Sequence, residues 1–495
     1  MSTKKLTVAG VLILLTLSTF LSWIQATYAQ QNNTSFTFAF GGDTGYYGND
    51  LAPSIASHQL ISADFFINLG DISYNGTSRS YPPTGNEGDW CNFVRQNVHN
   101  RLGQSNYPYE IVAGNHEDGT DPQMDGYIDN FIGCLPNQFS NFIGSGLFPC
   151  GLNCYGKEGY FDYPLNHPIA RFIVIANALK INPGPANSSY IYDYCPLSAC
   201  GGSNPSPAEK IFDQHYQWLK QTIEGAKAAG YWVIVIHHKP CLVPDNVTFC
   251  EGEGTYNGQS PGAQLLSLEI SERVDLVING HAHIYARSKQ LTCYGPVQPN
   301  DGIFPAYQPS CVANDGSKGT YMKAAGIVQI IQGDFSQRDG LLNFTRPDIN
   351  YFATAMTANG PSAADCCWVN GNPIDDNSGN GIGVITVTPQ TLSYTRQMSG
   401  PPSHTQGTTG IVFSDSFKIE SSNQGSANCG LWLPVMACGI DVILVYGIFA
   451  TIATLIPVTY LVVRRMRRKR VQHENPRVLS LDKLVTRDEG CSLWF

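Results

Sequence analysis

Five short polar clusters in this chain carry side chains able to hold metal ions. They are Asp43-Thr44-Gly45, Gly70-Asp71-Ile72-Ser73-Tyr74, Gly114-Asn115-His116-Glu117, His237-His238-Lys239-Pro240 and Gly280-His281-Ala282-His283. Together they offer carboxylate, phenol, amide and imidazole donors. Oxygen and nitrogen ligands of mixed charge suit a dinuclear metal site. A carboxylate that bridges two ions must be short and rigidly placed, and Asp71 fits that need. Gly70 and Gly114 let the backbone approach a crowded site. His281 and His283 follow a glycine and can reach one site from a turn. Two neighbouring ions stabilise both the attacking and the leaving oxygen of an in-line phosphoryl displacement. His237 and His238 are adjacent, and strand-like neighbours point to opposite faces, so only one of them should ligate.

An apolar run precedes each cluster. The runs are Ser35 to Phe40, Asp64 to Leu69, Tyr109 to Ala113, Trp232 to Ile236 and Val274 to Ile278. Ala208 to Ala229 has helical spacing (Ile211, His215, Trp218, Leu219, Ile223), and Leu265 to Glu272 is a shorter helix. Continuous β-branched and aromatic runs alternating with helices predict an α/β fold with buried, mostly parallel strands. In such sheets ligands bind just beyond the carboxyl ends of the strands, where all five clusters fall. Ile327 to Gln332, Gly383 to Thr388 and Leu392 to Arg396 read as later, antiparallel strands. Residues 290–320 and 356–382 read as loops rich in Gly, Pro and Cys, and Gln397 to Ser426 as a stalk. Asp375-Asp376-Asn377-Ser378-Gly379-Asn380-Gly381 faintly resembles a calcium loop but lacks the spacing and the closing Glu, so a polar turn is expected. His58, His99, His167, His215 and His404 match no pattern and are expected on the surface or in the core.

Composition sets the class and the ends set the compartment. Hydrophobic residues make up 42% of 495, enough for a sizeable core. Charged residues are only 14%, against a usual value of about 25%. Residues 464–495 add five positive charges and Lys4 and Lys5 two more, so residues 30–463 hold −16 of the net −9. An acidic body is a poor partner for nucleic acid, because neutralising phosphates needs Lys and Arg. Lys4 and Lys5, the apolar run Val8 to Leu21 and Thr27-Tyr28-Ala29 have the layout of a signal peptide over residues 1–29. Val442 to Val463 is an uncharged 22-mer followed by Arg464-Arg465-Met466-Arg467-Arg468-Lys469-Arg470. At about 1.5 Å per residue it is long enough to span a bilayer once, and the basic run stays on the cytoplasmic side. The expected organisation is a catalytic domain over 30–396, a stalk and juxtamembrane segment over 397–441, a transmembrane helix over 442–463 and a tail over 464–495. Sequons at Asn32, Asn33, Asn75, Asn187, Asn246 and Asn343 agree with a body outside the cytoplasm. So do 14 of the 15 cysteines, which precede the span. Cys150 with Cys154, Cys195 with Cys200, Cys241 with Cys250, and Cys293 with Cys311 are close enough in sequence to close loops.

The five clusters, in their order, resemble the calcineurin-like metallophosphoesterases, and within them the purple acid phosphatases. The family pattern is D-x-G, G-D-x-x-Y, G-N-H-[DE], V-x-x-H and G-H-x-H. Asp43-Thr44-Gly45, Gly70 to Tyr74, Gly114 to Glu117, Val235 to His238 and Gly280 to His283 match it, and Ile284-Tyr285-Ala286-Arg287 continues the likeness. The resemblance implies a β-sandwich of mixed sheets flanked by helices. It implies a first metal held by Asp43, Tyr74 and His283, a second held by Asn115, His238 and His281, and Asp71 between them. His238 is the expected ligand of its pair, since it fits both V-x-x-H and H-x-P; His237 is then a core or supporting residue. In purple acid phosphatases the first metal is ferric iron with a Tyr phenolate. The second would be Fe(2+), Zn(2+) or Mn(2+). His116 would bind phosphate or protonate the leaving alkoxide. The implied activity is hydrolysis of phosphate monoesters by metal-bound hydroxide. Two departures stand out. About 13 residues separate Ala29 from Asp43, too few for the N-terminal domain of the larger plant-type members, and no His lies between His238 and His281.

Overall fold

Phe36, Phe38 and Phe40 alternate along the first strand, and all three are buried between two β-sheets. A period of two is that of extended chain, so one face of the strand is set by sequence. The computed structural model describes residues 34–44, 63–72, 90–91, 107–118, 128–132, 139–150, 154–177, 179, 192–245, 256–298, 304–337, 340–358, 366–399, 402–403, 405 and 407–421, together with Arg465.

Strands β1 (Phe36–Gly41), β2 (Phe65–Asn68) and β3 (Tyr109–Ile111) are parallel neighbours at one edge of a seven-stranded sheet. Beyond β1 come Gly381–Val387, Thr391–Met398 and Ser416–Glu420, each antiparallel to the one before, and then Thr320–Met322, parallel to Ser416–Glu420. The second sheet has ten strands. It starts with β4 (Ile143–Gly144) and β5 (Glu158–Tyr163), which run antiparallel into β6 (Ala170–Ile175). Then β6, β7 (Trp232–His237), β8 (Leu276–Asn279) and Val328–Gln332 are parallel in that order. The antiparallel strands β9 (Ile284–Ser288), Phe352–Thr357, Cys367–Val369 and Asn372–Ile374 finish it.

The sheets face each other across an aromatic core. Phe172 of β6 meets Phe38 edge-on at 5.0 Å and Phe65 at 5.4 Å. Ile234 and Ile236 of β7 point into this core, while Val233 and Val235 point outward to a second one. There they meet Leu219 and Ile223 of helix α1 (Pro207–Ala228) and Leu265 and Leu268 of helix α2 (Pro261–Ser271). With both faces covered, a parallel strand must be apolar throughout, hence the unbroken run in β7. Each helix begins where a serine supplies the missing acceptor. Ser206 accepts from the Glu209 amide at 3.2 Å, and Ser260 from the Ala263 amide at 3.3 Å, each with Pro at the first helical turn. Loss of such a cap costs about 1 kcal/mol.

The expected mixed α/β architecture of sheets flanked by helices is present. Several local expectations are corrected. Ser416–Glu420, placed in the stalk, pairs with Thr391–Met398 as part of the sheet. The segment read as a loop over 356–382 contains Cys367–Val369 and Asn372–Ile374. The segment over 290–320 contains four two- or three-residue strands, Gln290–Leu291, Val297–Gln298, Phe304–Pro305 and Val312–Asn314. Strands β4, β5 and β6 were not anticipated. Cys150–Cys154, Cys195–Cys200 and Cys293–Cys311 are bonded, and Cys366 is bonded to its neighbour Cys367, an unforeseen pair. Cys241 is also disulfide-bonded; Cys250 lies outside the described residues. Among the described residues no helix is long and apolar enough to cross a membrane. The expected leader (1–29) and span (442–463) lie outside the described residues.

Glu110 of β3 is buried, and the Tyr155 hydroxyl donates to its Oε2. Burial pushes its carboxyl up to about 8. Between the ordinary carboxyl range and that value, the folded chain holds a proton that the unfolded chain releases, so stability falls as pH rises. Thermal melts of wild type and Glu110→Gln at about pH 5 and about pH 8 check this. The variant is expected to show a clearly smaller drop in Tm between the two, and an unchanged drop would refute the assignment.

Candidate metal centre

The site sits where parallel strands of both sheets end. Strands β1, β2 and β3 deliver Asp43, Asp71 and Asn115 from one sheet; β7 and β8 deliver His238 and His281 from the other, with His283 just before β9. Backbone hydrogen bonds knit the ends together. The Asp43 amide donates to the Gly70 carbonyl at 3.0 Å, Thr44 to Asp71 at 3.1 Å, and Gly280 to His238 at 3.1 Å.

Asp71, His238 and His281 present one donor atom each within 4.8 Å of one another. Asp43 and His283 form a second group, with His283 Nε2 3.3 Å from Asp43 Oδ1. The His281 amide donates to Asp43 Oδ2 at 2.8 Å and so ties this group to the first. His238 Nδ1 donates to the Leu69 carbonyl at 2.8 Å, which leaves Nε2 facing Asp71 Oδ1 at 3.2 Å. A backbone acceptor on one ring nitrogen fixes the tautomer and frees the other as a ligand. His116 lies at the rim: its Nε2 is 3.9 Å from Asp71 Oδ2, and its side chain is 23% exposed. His283 is similarly open, so solvent reaches the site from this side.

Three polar atoms here are buried without a hydrogen-bond partner: Asn115 Oδ1, His238 Nε2 and His281 Nδ1. His238 Nε2 has Asp71 Oδ1 as an ion-pair neighbour at 3.2 Å. An unpaired buried polar atom costs about 1–3 kcal/mol; His281, which carries one, is grouped with Asp71 and His238 and needs a bound partner there. Metal ions would supply it, and the residues present fit them.

Electrostatics agree. Burial pushes Asp71 up, but the charges of His238 and His116 reverse this and hold its carboxyl well below the usual range. Burial works to lower His238, and Asp71 overcomes it, raising the ring to about 9. Burial, then the charge of His238, pushes His281 well below its ordinary value, leaving it neutral. Burial raises Asp43. A proton on His238 therefore fills the place beside Asp71 that a metal would take, and the two compete.

The backbone is strained at this point. Asp43, Asp71 and His281 have φ of 59°, 48° and 68°. A non-glycine residue there costs roughly 1–3 kcal/mol, and it persists only where the surroundings enforce it. Glu117 is one enforcer. Buried behind the site, its carboxylate accepts from the amides of Asp71 (3.0 Å), Ile72 (2.8 Å) and Gly114 (2.7 Å). The sequence pattern includes Glu117 without showing this role; three residues per turn after Gly114 is the only signal for it.

Of the residues expected from sequence, Asp43, Asp71, His116, His238, His281 and His283 come together as described, and Asn115 follows Gly114, which packs against Asp71 and His238. Tyr74 and Gly45 lie outside the described residues. His237 is buried and faces Glu269 with Nε2 at 3.0 Å, so it is the supporting histidine of the pair. Asp375 to Gly381 forms no ligand cage: Asp375 accepts from the Thr408 amide at 2.7 Å and Asn377 from the Gly407 amide at 3.0 Å, a polar turn. A Cβ on Gly114 would strike the amide and carboxylate of Asp71 and come within 3.0 Å of His238 Nε2. Gly114→Ala is expected to weaken metal affinity by about tenfold or more. Gly202, whose Cβ would meet nothing within 4 Å and whose backbone is not left-handed, gives the control Gly202→Ala. Metal content after purification checks both, and equal metal in the two variants would contradict the packing argument.

The calcineurin-like phosphoesterase profile matches residues 36–285. Among solved structures, the chain is similar to a purple acid phosphatase from yellow lupin (14% identity, TM-score 0.43), aligned over 78% of this chain and 54% of that one. The match thus spans about half of the lupin protein. Others are a dimetal phosphatase from Danio rerio (12%, TM-score 0.39, 78% and 98%) and GAP50, the anchor in the inner membrane complex of Plasmodium (16%, TM-score 0.38, 78% and 89%). The profile covers half of the 495 residues, and it includes every cluster that builds the site; the chain belongs to the calcineurin-like phosphoesterase family.

Proposed function

We propose that this protein is a membrane-tethered, extracytoplasmic acid phosphatase of the purple type, acting on phosphate monoesters. The observation that carries it is the grouping of His238 and His281 with the strained, ionised Asp71, one donor atom of each lying within 4.8 Å of the others. In this reading Asp43, Tyr74 and His283 would hold ferric iron and Asn115, His238 and His281 a divalent ion, with Asp71 available to both. When bound, the metals supply Lewis acidity and a water acidic enough to act as nucleophile at low pH. The chain's own residues do the rest. His116 is close to Asp71 yet open to solvent, and its Nε2 is placed to donate to a phosphate oxygen or to the leaving alkoxide. Its backbone amide donates to Asp71 Oδ1 at 3.0 Å, which ties the residue to the Asp71 carboxylate. Tyr74 and Gly45 support the purple subgroup over relatives with a second His at D-x-H. The apolar 22-mer with its basic flank, the leader-like start, the sequons and the disulfides support a body outside the cytoplasm.

The second reading keeps both metals without ferric iron and hydrolyses diesters. One preparation separates the two: full-length protein in detergent, purified without added metal. The visible spectrum, the metal content and hydrolysis of p-nitrophenyl phosphate against its bis ester are recorded across pH. A purple band, about one iron per chain and a monoester optimum at acid pH are expected. Asp71→Ala should abolish the colour and lower kcat by a factor of about 10³ or more. A colourless protein active only with added manganese or zinc would reject the ferric assignment.

A further inference from the structure

His237 lies one residue from the expected ligand His238 but turns its ring away from Asp71, into the space between β7, β8 and α2. All its polar atoms are engaged. Nε2 is 3.0 Å from Glu269 Oε1 of α2. Nδ1 is 3.1 Å from the Lys239 carbonyl and 3.1 Å from Asn279 Nδ2. Asn279 Nδ2 also donates to the His237 carbonyl at 2.9 Å. His237, Glu269 and Asn279 are each no more than 3% exposed. Burying an imidazole, a carboxylate and an amide together is costly unless each is well paired, and nothing in the packing of β7 alone requires them.

What the three residues share is position. His237 ends β7, immediately before His238, and Asn279 ends β8, two residues before His281. The Asn279 side chain therefore bridges the two turns that carry the histidines. Glu269 anchors the bridge to α2, a rigid element. On the far side of His238, Lys239 is also held: its amide donates to Asn177 Oδ1 at 3.1 Å, and Asn177 Nδ2 donates to its carbonyl at 2.7 Å. His238 is thus fixed from both sides by groups that do not touch the metal site. His281 stands at φ 68°, a conformation that needs enforcement.

We propose that His237, Glu269 and Asn279 are positioning residues that hold the His238 and His281 turns at metal-binding separation. This set slows metal loss and sustains turnover without contacting substrate. The proposal rests on the dinuclear reading above. It predicts a defect in metal retention and kcat, with KM unchanged, rather than a general loss of fold. Removing both members of the buried pair avoids stranding a charge. The test therefore uses the double variant His237→Phe/Glu269→Leu, with Asn279→Ala as a second variant that leaves no charge unpaired should the first fail to fold. Full-length proteins are loaded with zinc, challenged with excess EDTA, and followed by metal release; melts of the metal-free forms report on folding. Each folded variant is expected to release zinc at least about tenfold faster than wild type. Glu269→Gln, which keeps an oxygen towards His237, should restore most of the retention. Release at the wild-type rate from either folded variant overturns the proposal. Wild-type protein that takes up no zinc overturns the dinuclear reading and this inference with it.

Discussion

Everything at the active end of this fold follows from placing one ionised carboxylate, Asp71, in the interior. A charge taken out of water is tolerated only when the surroundings return what solvent gave. Here the return comes from the His116 amide at 3.0 Å, His238 at 3.2 Å and the charges of the neighbouring imidazoles. Asp71 also stands in the left-handed region, at φ 48°, so its backbone must be held as well. Glu117 does that with three amide hydrogen bonds, one of them from Asp71 itself. The result is a second buried carboxyl that burial and the Asp71 charge push up to about 8, against the pull of those amides. One buried anion thus requires a second layer of buried polar groups.

The two sheets exist, in this sense, to bring those layers together. Parallel strands put their carboxyl ends on one side, and Asp43, Asp71 and Asn115 come from three such ends in one sheet while His238 and His281 come from two in the other. The aromatic core between Phe38, Phe65 and Phe172 fixes how the sheets face each other. The turn after the strand Val328–Gln332 joins them at the site. The Gln332 carbonyl accepts from the Gly42 amide at 2.9 Å, and the Ser336 hydroxyl donates to the Thr44 carbonyl.

Most of this site was legible in the sequence because its chemistry is local. Each ligand follows an apolar run within a few residues, so the run gives the strand and the next polar residue gives its end. For His237 and His238 the period of two allows only one to face the site, and the fit of His238 to V-x-x-H and H-x-P ranked the pair. The support was not legible. Glu269 lies in the last turn of α2 and looks like one polar residue of an amphipathic helix; only the fold shows that it meets His237, 32 positions away. Two of the missed strands lack a clear apolar run. Ser416–Glu420 (SFKIE) is a short polar–apolar alternation amid Gly, Ser and Thr, hard to tell from a loop, and Glu158–Tyr163 (EGYFDY) is broken by Glu, Gly and Asp. They lie toward the sheet margins, where one face is less covered and fewer apolar residues are needed.

The same logic explains a buried ion pair just behind Asp43. Arg396 Nη2 meets Asp334 Oδ2 at 2.5 Å, with both side chains nearly inaccessible. As a source of stability such a pair is a poor choice, since desolvation consumes most of the attraction. Its position suggests a different value. Asp334 follows Gly333, whose Cα is so close to Asp43 that an added Cβ would come within 2.7 Å of Oδ2. Phe335 then donates its amide to the Gly42 carbonyl at 3.3 Å. Arg396 reaches across from Thr391–Met398 and also donates to the Gly379 carbonyl. It therefore fixes the 333–336 turn against two other segments with directional bonds, which an apolar contact could not do. Directional bonds are what a left-handed Asp43 needs beneath it. The polar interior of this protein is best understood as scaffolding for the strained Asp43, Asp71 and His281, with stability carried by the aromatic and aliphatic layers around it.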